Sequence, residues 1–293
     1  MRKFITISLF FLGAIAAAED FHQILDVEDE AEIIIFNTAG EVEVRGWSRN
    51  QVEVEADLGR GVEKLIFEVD GNEVLIEVKP ANRHHNSHDI SSDLVITVPH
   101  NSSLEISTVS ADISTEDVTG EQYIESVSGD IDTEAYNSDL SIDSVSGDID
   151  IEGDNQKTQI SIETVSGDID IQSVDGEVEV ETVSGDLVLY DSRFEDVSGE
   201  SVNGDMIFHA ELYGDSRMEF ETVNGDIDIK FEGDISARFD IETFNGDIRN
   251  CFGPEPVRTS SYTPGLELKF SEGGGDGRVV IRTLNGDLRL CKK

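Results

Sequence analysis

The clearest copy of a motif that recurs along this chain reads Thr164-Val165-Ser166-Gly167-Asp168-Ile169-Asp170-Ile171. After the glycine, isoleucine and aspartate alternate with the period of two that a half-buried β-strand requires. Successive copies from residue 111 to residue 246 lie 18 to 21 residues apart. The glycines of the Ser-Gly-Asp and Asn-Gly-Asp copies are Gly129, Gly147, Gly167, Gly185, Gly204, Gly225, Gly246 and Gly286, with a degenerate copy at Ala111.

A nearly fixed short period is typical of a repeat protein, and this one is too short for a pair of helices. A second short apolar–polar segment precedes each glycine, so that two strands fill one repeat. A single coil of this kind cannot bury its apolar side chains, but stacked coils share one narrow core. The sequence therefore predicts an all-β fold, a single-stranded parallel β-solenoid (β-helix) with about 18–21 residues per coil.

The repeats also divide the chain. We expect one adhesin-like domain over 19–293, in which 19–107 forms an irregular N-terminal coil with hairpins and 108–250 carries the regular repeats. The remainder, 251–293, is expected to form an elaborated C-terminal coil and cap. Prolines and a glycine run interrupt the period between 254 and 278, which predicts a loop there.

Residues 1–18 have the pattern of a secretory signal peptide. Arg2 and Lys3 precede an apolar stretch that ends in Ala16-Ala17-Ala18, a small-residue cleavage pattern. The stretch is shorter than the roughly 20 residues of a membrane-spanning helix. We therefore expect an exported protein, periplasmic or on the cell surface of a bacterium, with no stable membrane insertion.

The charge balance excludes one class of partner. Asp and Glu outnumber Lys and Arg by 63 to 21, for a net charge of −42. Nucleic acid needs basic patches, and an anionic membrane surface repels such a chain. Disorder is disfavoured because the apolar alternation is regular.

Two cysteines occupy equivalent positions in their repeats. Cys251 follows Gly246 by five residues, and Cys291 follows Gly286 by five. Equivalent positions of stacked strands lie about 4.8 Å apart, within the reach of a disulfide. Together with export, this predicts a Cys251–Cys291 disulfide.

Acidic side chains recur at three positions of the repeat. One follows each glycine, a second lies four residues before it in a row that ends at Arg282, and a third includes Asp132, Asp150, Asp170 and Asp228. Like charges about 5 Å apart repel by roughly 0.8 kcal/mol in water. Backbone N–H groups, bridging cations or simple solvation of an edge-rich protein could each account for the first row. The candidate sites for weak Ca²⁺ or Mg²⁺ binding are Asp130, Asp148, Asp168, Asp186, Asp205 and Asp226.

The other motifs are weaker evidence of function. The run His84-His85-Asn86-Ser87-His88-Asp89 could bind a transition metal, but its surroundings favour a solvated polar loop. A phosphate loop, a serine nucleophile elbow and a reactive cysteine context are missing from the sequence. We predict no catalytic residues and no cofactor beyond the weak cations.

Three segments resemble the "putative adhesin" family of bacterial envelope β-solenoid proteins, a domain of unknown function with Val-Ser-Gly-Asp-Ile repeats. Gly40 to Trp47 is similar to that family's opening coil, and Asp93 to Pro99 to the strand that leads into the main stack. Thr283 to Leu288 is similar to its closing repeat. The resemblance implies adhesion and brings no catalytic residues with it.

Three functions fit these observations. The first is a non-enzymatic cell-envelope scaffold or binding surface for a protein or glycan ligand, with homo-oligomers possible. The second is an enzyme that acts on polysaccharides, since β-helices host paired carboxylates. One Trp, five Tyr and few basic residues argue against it. The third is a periplasmic protein that binds divalent cations.

Overall fold

The computed structural model describes residues 21–81, 89–260 and 264–293, and in these ranges the chain forms β-strands without any helix. The strands belong to one 23-stranded sheet in which parallel pairing predominates. The predicted all-β class with parallel strands is thus confirmed. A helix able to span a membrane is accordingly missing from the part described. The expected signal peptide and the histidines at 84, 85 and 88 lie outside the described residues.

The N-terminal part combines parallel pairs with hairpins. Its strands are β1 (Phe21–Asp26), β2 (Glu32–Trp47), β3 (Gln51–Leu58), β4 (Val62–Asp70), β5 (Glu73–Pro80), β6 (Ser92–Pro99) and β7 (Ser103–Glu116). Strand β2 pairs in parallel with β7 on one side and with β5 and β6 on the other. Antiparallel pairs join β4 to β5, β3 to β6 and β1 to β3. Strand β2, the first strand of the parallel stack, is therefore covered on one side by β5 and β6, which come later in the chain.

In the middle part, each strand pairs in parallel with its equivalent in the next repeat. The strands are β8 (Gln122–Ser128), β9 (Ile131–Ala135), β10 (Leu140–Ser144), β11 (Ile149–Gly153), β12 (Lys157–Ser166), β13 (Ile169–Gln172), β14 (Asp175–Ser184), β15 (Leu187–Asn203), β16 (Met206–Asn224) and β17 (Ile227–Phe231). Ile142, for example, lies opposite Ile124 on one side and Ile162 on the other. Like residues thus stack on like residues, which is compatible with the predicted solenoid.

The C-terminal part does not follow chain order. Its strands are β18 (Ala237–Asn245), β19 (Ile248–Asn250), β20 (Val257–Arg258), β21 (Leu266–Glu272), β22 (Gly277–Asn285) and β23 (Leu288–Lys292). Strand β22 lies between β16 and β18, and β23 lies between β17 and β19. Strand β21 pairs antiparallel with β18, and β20 pairs with β21. The last repeat is therefore interior, and the preceding hairpin covers the end of the stack.

The core changes composition along the stack. Buried isoleucine, valine and leucine side chains fill the core of the middle repeats. Phenylalanines replace them toward the C-terminal end, where Phe208 lies about equally far from Phe194, Phe220 and Phe231, with ring centroids 5.7 to 5.9 Å apart. Phe239 stacks on Phe270 of β21 at 4.5 Å. These rings attach the terminal hairpin to the core.

The predicted disulfide is present between Cys251 and Cys291, whose Cα atoms are 4.9 Å apart. Cys251 follows β19, and Cys291 belongs to β23. The backbone N–H of Cys251 also donates to the carbonyl of Leu290 at 2.9 Å. The bond therefore joins neighbouring strands of the last two stacked repeats.

Candidate binding face

The strand before each repeat glycine presents one surface to solvent. Along this strand, residues four and two positions before the glycine point outward, and the residue between them is buried. In β12, for instance, Glu163 and Val165 are exposed while Thr164 is buried. Because the repeats stack in register, these positions form continuous columns on the outer face.

The outermost column is apolar. Its members are exposed by 39% to 51%, whereas the apolar residues two positions after the same glycines are buried. We call it the valine column. Its members, in stacking order, are Val109, Val127, Val145, Val165, Val183, Val202, Val223, Leu284 and Phe244.

Hydrogen bonds at the corner explain why these side chains face outward. The paired register skips the valine between its two neighbours, so its carbonyl needs another partner. Ser128 Oγ donates to the carbonyl of Val109 at 3.1 Å, and Ser146 Oγ donates to that of Val127 at 3.2 Å. In later repeats asparagine replaces serine, and Asn224 Nδ2 donates to Asn203 Oδ1 at 3.0 Å and lies 3.5 Å from the carbonyl oxygen of Val202. The serine or asparagine thus fixes the bend at which the valine projects.

Beside the valine column runs the acidic column, four residues before each glycine. Its members, in stacking order, are Glu125, Asp143, Glu163, Glu181, Glu200, Glu221, Arg282 and Glu242. Arg282 forms an ion pair with Glu221. Among the described residues, no Lys or Arg forms an ion pair with the five members from Glu125 to Glu200. Charge is therefore neutralised at one end of the column only.

At two places along the acidic column, the pKa of a side chain is raised. Burial, followed by the charges of Glu181 and Glu221, raises the pKa of Glu200. The hydroxyl of Tyr123 donates to Glu125 Oε1 at 2.6 Å and to Asp143 Oδ2 at 2.9 Å. These two hydrogen bonds raise the pKa of Tyr123 above its ordinary range. Tyr123 therefore bridges the first two carboxylates of the column, Glu125 and Asp143, and reduces the repulsion between them.

A shallow groove separates the two columns, and its floor consists of buried Ser and Thr side chains. One stretch encloses about 400 Å³ between Val127, Val145 and Val165 on one side and the matching carboxylates on the other. An equivalent stretch of about 480 Å³ lies farther along, at Val202 and Val223. The same cross-section therefore recurs along the stack.

The aspartates after the glycines form a third column, the aspartate ladder. Oδ1 of each aspartate accepts the backbone N–H of the next aspartate in the stack, at 2.7 to 3.0 Å. In stacking order the ladder reads Asp112, Asp130, Asp148, Asp168, Asp186, Asp205, Asp226, Asp287 and Asp247. The expected backbone N–H donors are therefore present, and each belongs to the neighbouring repeat.

Among the described residues, one group of three meets the geometry of a metal site, and it is not in the ladder. His22, Glu53 and Glu55 bring one ligand atom each within 4.8 Å of one another. His22 Nε2 lies 2.6 Å from Glu53 Oε1, which an ordinary hydrogen bond explains. The six aspartates from Asp130 to Asp226 are stacked, but they do not converge in threes. Cation binding by the ladder stays a prediction.

Two features of the face were not expected from the sequence. The exposure of the valine column could have been predicted, because Val165 shares strand parity with Glu163 rather than with the buried isoleucines. The position of Arg282 could not. The sequence places it at the end of its acidic row, whereas the structure inserts it between Glu221 and Glu242 because the last repeat is interior.

Comparisons with known proteins give one family and several distant folds. The family model described as Toastrack DUF4097 matches residues 31–290. Among curated proteins, none matched. A "putative cell adhesion protein" from Clostridium sporogenes shares 10% identity over 94% of this chain and 100% of that chain, with a TM-score of 0.24.

Two further solved structures are similar over most of their length. A "putative lipid binding protein" from Parabacteroides distasonis shares 13% identity over 92% of this chain and 96% of that chain, with a TM-score of 0.47. A "putative adhesin" from Bacteroides fragilis shares 11% identity over 92% and 96%, with a TM-score of 0.38. At such identities and scores, the likeness carries no argument about ligands.

Proposed function

The chain belongs to the Toastrack DUF4097 family, and we propose that it is a non-enzymatic, exported cell-envelope protein that binds its ligand on one long outer face. In this proposal the stacked repeats form a single-stranded parallel β-solenoid, and the face acts as an adhesin-like scaffold. The ligand is a protein or a glycan of the envelope or of another surface.

One observation carries this proposal: the valine column continues through nine stacked repeats, and the acidic column runs beside it through eight of them, with Arg282 at one position. Parallel stacking holds the backbone of each repeat rigid, so the columns present a preformed surface rather than a closed pocket. Exposed apolar patches of this extent, bordered by polar side chains, mark interaction sites. An extended ligand is the natural match for an extended face.

Catalysis on polysaccharides fits the face less well. The carboxylates lie in open columns and repeat at about the same spacing, and between Asp143 and Glu221 each is followed by another carboxylate, so no pair there is set apart as acid and base. Export is supported by the disulfide, since such bonds persist in oxidising compartments. The charge of −42 continues to argue against nucleic acid as partner.

The test is retention of envelope material by the immobilised protein. Purified bacterial envelope fragments should bind to the native chain on a sensor surface and should not bind to the reduced, heat-unfolded chain at equal density. A panel of envelope polysaccharides incubated with the protein should yield no new reducing ends. New reducing ends would show that the protein is an enzyme rather than a scaffold. If no envelope material is retained, the proposed binding function is wrong.

A second candidate function, weak Ca²⁺ or Mg²⁺ binding, is favoured by the aspartate ladder. Its carboxylates are exposed, stacked about 4.8 Å apart and, among the described residues, free of Lys or Arg ion pairs. Binding to the folded state raises stability by mass action. Melting in EDTA and in millimolar Ca²⁺ at fixed ionic strength should show a rise of Tm that Asp148→Asn, Asp168→Asn and Asp186→Asn together abolish. Equal melting in both conditions would eliminate this candidate.

A further inference from the structure

We infer that the groove between the valine column and the acidic column is a docking site for a cationic amphipathic α-helix of a partner polypeptide. This inference deepens the proposed function by naming the partner class, and it rests on that function. It begins from nine half-exposed apolar side chains that span eight steps of the stack, or about 38 Å.

Charge complementarity indicates that the partner carries positive charge. The carboxylates from Glu125 to Glu200 lie beside Val127 to Val202, and within the described ranges they lack a cationic partner. Residues two apart on a strand are about 6.6 Å apart, so one partner side chain can contact a valine while its neighbour reaches a carboxylate. A partner with an apolar stripe bordered by Lys or Arg satisfies both columns.

The spacing selects a helix over a strand. A helix laid along the groove repeats its contact side chains about every 5.4 Å, close to the roughly 4.8 Å step of the stack. Over four turns the mismatch is about 2.4 Å, which long lysine or arginine side chains can absorb. An extended strand repeats its same-face side chains about every 6.8 Å and falls out of step after one or two repeats.

The same charges argue against other occupants. A second copy of this chain would bring another acidic column, within a net charge of −42 per copy, against the first. An anionic membrane surface is repelled for the same reason. The column offers one aromatic ring, Phe244, whereas a sugar-binding surface uses several.

The experiment measures binding of a fluorescent 18-residue peptide of leucine and lysine, patterned so that leucines share one helical face, to the intact disulfide-bonded protein. A scrambled peptide of equal composition controls for charge, because any cationic peptide is attracted to this chain. We expect the patterned peptide to bind at least tenfold more tightly and to gain helical circular dichroism on binding.

Variants locate the site. Val145→Thr, Val165→Thr and Val183→Thr keep the branched shape and strand preference, and together they should weaken binding at least tenfold without lowering Tm. Glu163→Gln with Glu181→Gln should weaken binding and reduce its salt dependence. The matched control, Asp150→Asn with Asp170→Asn, removes the same charge outside the groove and should change affinity less than twofold.

Each of the following results would overturn the inference. Equal affinity for patterned and scrambled peptides, or equal effects of the two charge variants, would show general electrostatic attraction. Unchanged affinity in the threonine variant would show that the valine column takes no part in peptide binding. A dimer that sediments as a monomer only after the threonine changes would make the column a contact between copies. If the peptide fails while envelope fragments are still retained, this inference fails and the proposed function stands.

Discussion

Single residues at the corner of each repeat decide how closely neighbouring repeats can approach. Gly167 has φ of +129°, a conformation that side chains with a Cβ rarely adopt. A Cβ added there would lie 1.9 Å from the carbonyl oxygen of Gly147 in the preceding repeat. The obstacle is backbone, so it cannot move aside without separating the strands. The glycine is required by both the turn and the stacking.

Replacing Gly167 with alanine should therefore lower the free energy of unfolding by about 2–5 kcal/mol, from backbone strain and overpacking together. Gly214→Ala is the matched control, because a Cβ at Gly214 would meet no atom within 4 Å. Urea unfolding followed by circular dichroism gives both values. Similar midpoints for the two variants would contradict the stacking argument.

The aspartate after the glycine contributes through one oxygen. Oδ1 of Asp168 accepts the N–H of Asp186 at 2.9 Å, while the carboxylate charge is repelled by its neighbours. Asp168→Asn keeps an acceptor and removes the charge, whereas Asp168→Ala removes both. We expect the asparagine variant to be more stable than the alanine variant by about 1 kcal/mol. Equal unfolding midpoints would mean that the hydrogen bond contributes nothing.

At the scale of strands, the row three residues after the glycine shows what stacking costs. Asp150 of β11 and Asp170 of β13 are partners in the parallel register. Burial first, and then the charges of nearby aspartates, raises the pKa of both above the ordinary value. A raised carboxyl pKa favours the folded state at low pH, and this contribution is lost as pH rises through the folded-state pKa.

Asp150→Asn with Asp170→Asn should accordingly be more stable than the natural chain at pH 7, and the difference should shrink as the pH falls toward 4, where the unfolded carboxyls begin to protonate. Urea midpoints at pH 7, 5 and 4 measure this. Glu28→Gln with Glu255→Gln removes two exposed charges from loops and should show a small difference that varies little with pH. A double asparagine variant that is less stable at pH 7 would contradict the sign.

The strands also show how far the sequence could predict this fold. Period and parity predicted the parallel class, the paired strands and the Cys251–Cys291 bond. The bond holds because the repeats of Gly246 and Gly286 are neighbours in either stacking order. The stacking order of the last repeats could not be predicted from the sequence, because every repeat has the same glycine corner. One charge contact does distinguish the orders: in the observed order Arg282 separates Glu221 from Glu242, which chain order would place side by side.

For the whole molecule, the interior position of the last repeat means that the chain terminus is not the end of the stack. Strand β23 is paired on both sides, and the N–H of Leu288 donates to the carbonyl of Asp247 at 2.8 Å. The exposed edges belong instead to β19 and β20 at one end and to β1 and β4 at the other, each paired on one side. The disulfide closes a loop of 40 residues around this arrangement, worth about 4 kcal/mol by the chain-entropy model.

Native-state hydrogen exchange of the intact protein should show this order directly. Amides of β22 and β23 should exchange as slowly as those of β16 and β17, because exchange there requires opening of strands paired on both sides. Amides of β20 and β1 should exchange fastest. After reduction of the disulfide all rates should rise, while their ranking should persist, because the strand order does not depend on the bond. Exchange that begins at residue 293 and spreads back through β22, with β18 and β21 still protected, would instead describe a stack in chain order.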